Sequence, residues 1–211
     1  MRFPRLRTLL VASAWIAGLL AYLAGGCVSP VGAQAERWVF PLRIHVPQAS
    51  VDAPWIAEQV EQANTIFGPH GVRFVAHERL ALDDALSVLE DRRDRHALGA
   101  HLDSARIDVF VVRSLRDVDD PSLMRRGVHW RPAGRPGAHF VIVSAISGPT
   151  VLAHELGHYF GNPHSPTPGN IMSYDRGEVP PFFDADQVRR IVRSARRFAR
   201  SGAPATVPSA P

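Results

Sequence analysis

"VLAHELGHYFGNPHSPTPGNIMSYD", residues 151–175, sets three histidines and a glutamate at fixed intervals and follows them with Met-Ser-Tyr. "SGPT" just before it supplies Ser147 or Thr150 as a cap and places Pro149 near a first turn, so a helix is expected from about 150 to 160, stopping at Gly161. On such a helix His154 and His158 lie on the same face. Two imidazoles so spaced can bind one zinc ion, and Glu155 between them can reach a water on the metal. Gly161 can take the left-handed conformation that turns the chain sharply, which would bring His164 back as a third ligand. Three protein ligands leave one position open for water, as in a catalytic rather than a structural zinc site. Chance alone would produce H-E-x-x-H-x-x-G-x-x-H somewhere in this chain on the order of 1 time in 10,000, counting only its fixed positions.

"HELGHYFGNPH" resembles the zinc-binding signature of the metzincin metallopeptidases, and "NIMSY" resembles that family's Met-turn. The resemblance implies an α+β, metzincin-like zincin fold: a twisted mixed sheet with an active-site helix, a backing helix and a C-terminal helix. It implies that Met172 forms a floor beneath the metal without ligating it. Tyr174 falls where astacins and serralysins have a tyrosine that binds zinc or stabilises an oxyanion, and pappalysin-like members have similar "MSY" turns. The match is specific over 150–175 and loose over 37–200, where "WIAEQVEQANTIFGPHGVRF" occupies the place of the family's first long helix and following strand. There are departures. No cysteine is available to block the zinc as the matrixin propeptide cysteine does, and none follows the third histidine as in archaemetzincin-type proteins. The gluzincins, whose third ligand is a downstream Glu, fit less well because His164 fills that role at close range.

The activity this implies is zinc-dependent endopeptidase chemistry. One zinc ion would acidify a water and polarise the scissile carbonyl, Glu155 would move the proton from water to leaving amine, and Tyr174 would hydrogen-bond the oxyanion. The expected partner is a protein or peptide substrate, extended along an edge strand formed within 126–131. Two other readings stand beside it: a zinc-binding surface protein that does not hydrolyse, and a zinc hydrolase acting on a non-peptide amide.

Outward from this stretch, the periodicity predicts strands over 37–46, 72–80, 107–115 and 139–146, the last two apolar enough for burial on both faces of a sheet. Pro41 suggests an edge or a bend in the first. A helix is expected after Asp52, with Trp55, Ile56, Val60, Ala63, Ile66 and Phe67 on its apolar face and Gly68 at its end. Leucines among charges over 83–104 fit one or two surface helices, and "GVHW" a short edge strand. Residues 184–200 read as an amphipathic closing helix, with Val188, Ile191, Val192, Ala195 and Phe198 on one face, and 201–211 as a disordered tail. His129, His139, His101 and His96 lack compact ligand spacing and read as surface or strand histidines, as do His45, His70 and His77.

The first 26 residues have the layout of a secretory signal, a short basic region followed by an apolar run. "LAGGC" at 23–27 resembles a lipobox that would lipidate Cys27, "AQA" at 33–35 offers ordinary cleavage after Ala35, and an uncleaved anchor is the third reading. Each gives an exported protein, with a cell-envelope lipoprotein preferred, a tether over 27–36 and one metallopeptidase domain over 37–200. Cys27 is the only cysteine, which excludes internal disulfides and thiolate ligands. All 24 cationic residues are arginine. Removing Arg2, Arg5 and Arg7 with the signal takes the formal charge from +4 to about +1, so no nucleic-acid partner is expected. A monomer is expected. Asp117, Asp119 and Asp120 are the nearest thing to an acidic cluster, and whether calcium binds stays open.

Overall fold

A computed structural model describes residues 38–48 and 50–204, so the signal, lipobox and tether readings, and 205–211 of the tail, lie outside the described residues. The chain forms β1 (Trp38–Pro47), α1 (Ala53–Phe67), β2 (Val72–Leu82), β3 (Val88–Leu89), α2 (Arg92–Ala97), β4 (Ile107–Val112), β5 (Ser114–Leu115), β6 (Gly127–Trp130), β7 (Phe140–Ser144), α3 (Val151–Tyr159) and α4 (Ala185–Ser201).

The main sheet has the order β2-β1-β4-β7-β6, parallel throughout except for the antiparallel edge strand β6. β4 and β7 are buried at every position, as apolar runs demand of central strands covered on both faces. One face packs against α1, α3 and α4 through Phe40, Phe67, Leu156, Phe160, Ile191 and Phe198. The other carries a smaller core of Leu89, Leu98, Phe110, Leu115, Phe140 and Ile142. The fold is thus a mixed α/β architecture that meets the expectation of a twisted mixed sheet with an active-site, a backing and a C-terminal helix: α3 is central, α1 lies behind it and α4 closes the chain.

Three local expectations need correction. Pro41 lies in an interior strand, but in the half of β1 that pairs with β2 alone, because β4 joins only from Leu42. Proline's missing N–H is tolerated where one neighbour is absent. The expected strand 107–115 breaks at Arg113, after which Ser114–Leu115 leaves the main sheet to pair with β3. Within 83–104 the expected surface helix forms as α2, its N-terminus fixed by a reciprocal capping box between Asp91 and Asp94, but two 3-10 turns and the short strand β3 accompany it where no strand was expected. The closing helix runs one residue further than expected, to Ser201, where left-handed Gly202 caps it, so the tail expected over 201–211 begins only after it.

Candidate metal centre

α3 begins after Thr150, yet neither Thr150 nor Ser147 caps it with a side chain. The cap comes from another helix. Buried Gln59 on α1 accepts from Leu152 N–H at 3.2 Å and donates to the Gly148 carbonyl at 3.0 Å. The amide thus satisfies one orphan donor of α3 and pins the two helices together.

At the other end Phe160 caps the helix and Gly161 turns at φ +94°, with Asn162 N–H donating to the Gly157 carbonyl at 3.0 Å. The reversal brings His164 beside the helix. Its Nε2 lies 3.1 Å from that of His158, and the ligand atoms of His154, His158 and His164 all fall within 4.8 Å of one another. This is the one such cluster of three or more His, Cys, Asp or Glu among the described residues.

Two of the imidazoles are locked by main-chain carbonyls. Nδ1 of His154 is 2.7 Å from the Ile171 carbonyl and Nδ1 of His158 is 2.7 Å from the Asn162 carbonyl. A carbonyl only accepts, so each Nδ1 carries the proton and each Nε2 keeps a free lone pair aimed at the shared point. Burial holds His154 down to about 4 and also lowers His158 and His164, keeping all three rings neutral as metal binding requires. Ligands about 2.0–2.1 Å from a tetrahedral ion lie roughly 3.3 Å apart, so the triad fits zinc.

Glu155 is only 5% exposed. Burial pushes its carboxyl up to about 8, against the His129 N–H, Arg176 and Arg125, which act to lower it. Edge strand β6 runs directly over it, and only glycine permits that approach: a Cβ on Gly127 would sit 2.8 Å from both Cγ and Oε1 of Glu155. Gly157, one turn of the helix from Glu155's neighbours, serves the opposite side. A Cβ there would lie 2.3 Å from Sδ of Met172, which is fully buried against α3 as a floor should be.

The turn carrying Met172 is held by a buried amide pair. Asn170 Oδ1 accepts from Met172 N–H at 2.9 Å, while Asn170 and Gln187 exchange side-chain bonds of 2.8 and 3.1 Å. Gln187 also closes the capping box of α4 with Asp184. Tyr174 stands at the rim, 69% exposed, its ring 4.6 Å from that of His164 and in reach of the Arg125 guanidinium.

The structure therefore gathers every residue expected at the site: His154, His158 and His164 as the cluster, Glu155 and Tyr174 beside it, Met172 below and Gly161 at the turn. It also adds Gln59, Gly127, Gly157, Asn170, Gln187 and, lining the same cleft, Arg125, Arg126 and Arg176, which pattern alone did not indicate. Gly157 sits inside the motif and could have been suspected; the others act from distant segments. His129, on strand β6 as expected of a surface or strand histidine, pairs half-buried with His139, 2.9 Å away, and His139 stacks on Tyr159 at 3.8 Å. His45 is buried, 2.8 Å from Asp108.

Among known proteins, solved structures of a metalloproteinase and an archaemetzincin share this fold. A crystal structure of metalloproteinase-II from Bacteroides fragilis superposes with a TM-score of 0.55 at 14% identity, over 78% of this chain and 55% of that one. Archaemetzincin from Methanopyrus kandleri superposes with a TM-score of 0.52 at 18% identity, over 81% of this chain and all of that one. The chain thus spans about half of the Bacteroides protein. No family model and no curated protein sequence matches it.

Proposed function

We propose that this chain is a zinc-dependent endopeptidase of the metzincin type. The observation that carries the reading is the convergence of three imidazoles, two with Nδ1 fixed on carbonyls, beside a buried glutamate under an edge strand. Bound at His154, His158 and His164, zinc would supply Lewis acidity toward a water and the scissile carbonyl. Glu155 takes the proton of the attacking water and returns it to the leaving amine. Its raised pKa in the bare site suits a group that must both accept and donate near neutrality. Tyr174, beside His164 at the cleft mouth, hydrogen-bonds the developing oxyanion. Only one side of β6 is paired, by β7, so its outer edge is open to an extended substrate adding as a further strand. The signal-like layout of the first 26 residues of the sequence supports export with a membrane tether, and a monomer is proposed with it.

The test is cleavage of a mixed peptide library by the zinc-loaded protein, with Glu155→Gln in parallel. The wild type should cut, and the variant should keep one zinc per chain while losing roughly 10²–10⁴-fold in rate. If neither protein cuts while both hold zinc, the peptidase reading is wrong, and a binding protein or a hydrolase of non-peptide amides replaces it.

A further inference from the structure

The cleft over the metal centre is about 500 Å³, and its walls are charged in one sense. Arg125, Arg126 and Arg176 line it, and among the described residues Glu155 is the one carboxylate in its lining. The chain as a whole carries a formal charge of only +4 over 211 residues, so this concentration is local.

Each guanidinium is positioned by contacts of its own. Arg176 donates from Nη1 to the Ile171 carbonyl at 3.1 Å, the same oxygen that orients His154 at 2.7 Å. It therefore stands beside the first ligand. Arg125 is tied through Nε to Asp117, whose carboxylate also accepts from the Asp119 and Asp120 N–H groups at 2.7 and 2.9 Å. Its remaining nitrogens face the cleft near Tyr174, beside the third ligand. Arg126, exposed at the start of β6, donates to the Ile146 carbonyl at 3.2 Å and keeps its other donors free at the rim.

Asp117 offsets Arg125, and Glu155 offsets at most one of the remaining two. A bound divalent cation would add to the imbalance. A planar guanidinium binds a carboxylate through two parallel N–H bonds, and a cleft of one sign concentrates ligands of the other.

Resting on the peptidase reading of the same site, we propose that the cleft takes acidic peptides, docking a substrate carboxylate next to the scissile bond on Arg176 and Arg126. The carboxylate is either an Asp or Glu side chain or a free C-terminus, both offering the same fork to the guanidinium.

The test uses matched fluorogenic peptides, differing only in Glu or Gln beside the cleaved bond, each made with a free and an amidated C-terminus. Binding of the same peptides to zinc-loaded Glu155→Gln is measured by fluorescence anisotropy. The Glu peptide or the free-acid form should be favoured at least tenfold in kcat/KM and Kd, less so at high salt, and the favoured form identifies the source of the charge. Arg176→Gln with Arg126→Gln should bring the ratio close to one, and Arg126→Glu should favour a Lys peptide. If peptides are cut or bound without regard to charge, the proposal is overturned while the peptidase reading stands. If nothing is cut but acidic peptides bind tenfold tighter in an arginine-dependent way, the acidic groove stands and the hydrolytic reading fails.

Discussion

His154 and His158 are each aimed by a main-chain carbonyl, whereas Arg125 on the facing wall is aimed by the side chain of Asp117 and Arg126 is mostly exposed. The floor of the cleft is thus built from backbone, buried amides and glycine-permitted contacts, and its facing wall from long charged side chains. A backbone carbonyl cannot be mutated away and moves only if the turn moves. A guanidinium can be exchanged without disturbing the chain path. The first construction suits a constellation that must be held to a fraction of an ångström. The second suits recognition that can change from one relative to the next.

The contrast breaks most directly at Gly127, where the two regions touch. Replacing it by alanine places a methyl 2.8 Å from the Glu155 carboxyl, so either β6 lifts or the carboxyl shifts. Steady-state kinetics should show kcat/KM lower by roughly 10²-fold, the scale of a misplaced catalytic group. Zinc content by atomic absorption should stay at one per chain, because the ligands are held from the other side. Loss of the metal would mean that the wall supports the floor.

Gly157→Ala attacks the floor itself. Its Cβ would meet Sδ of Met172 at 2.3 Å and Phe183 at 3.5 Å, in a fully buried contact. Overpacking of this kind costs about 1–3 kcal/mol, to be read as a lower urea midpoint at unchanged slope. Weaker zinc retention against a chelator should accompany it, since Ile171, which orients His154, is next to Met172.

These two glycines also show why the site was only partly legible. H-E-x-x-H-x-x-G-x-x-H is a local pattern: helix spacing, a left-handed glycine and a returning histidine all fall within eleven residues, so the triad could be read directly. The strands of the main sheet were legible for a similar reason, since β4 and β7 are nearly continuous apolar runs, broken only by Asp108 and ending in Ser144. Gly127 owes its role to a residue 28 positions away, and Gln59 caps α3 across 93. No periodicity encodes such a meeting. The missed ladder of β3 with β5 has two residues in each strand, too short to show alternation.

The amide pair Asn170–Gln187 sharpens the comparison at the next level, because it is a side-chain device serving the backbone-built floor. Both residues are buried, and either truncation to alanine strands polar atoms of its partner. Each single variant should lose about 1–3 kcal/mol in chemical denaturation. The double variant should lose less than the sum, since the second truncation removes groups that the first had left unpaired. Strict additivity would show that the pair is not acting as one unit.

The smallest effect at neutral pH belongs to the pair that joins the two regions, His129 on β6 and His139 beside β7. Burial lowers His129 to about 3 and His139 to about 4, with each ring's charge further opposed by Arg131. In the unfolded chain both imidazoles take up protons as the pH falls through the ordinary value of about 6.5. In the folded chain they stay neutral until about 4 and 3. The unfolded state therefore binds more protons across this window, so this pair makes stability fall as pH falls from 6.5 toward 4 and adds no pH dependence above 7.5; Glu155, raised to about 8, contributes with the opposite sign whether or not the pair is present. The metal ligands titrate with the same sign, so the measurement must separate the two sets. Urea unfolding of the metal-free protein from pH 7.5 to 4.5, repeated with His129→Gln and His139→Gln combined, does so. The double variant should be less stable at neutral pH through its lost packing, yet its stability should decline less steeply with acid. An unchanged slope would assign the acid sensitivity to the ligand histidines alone and leave the β6 pair with a packing role.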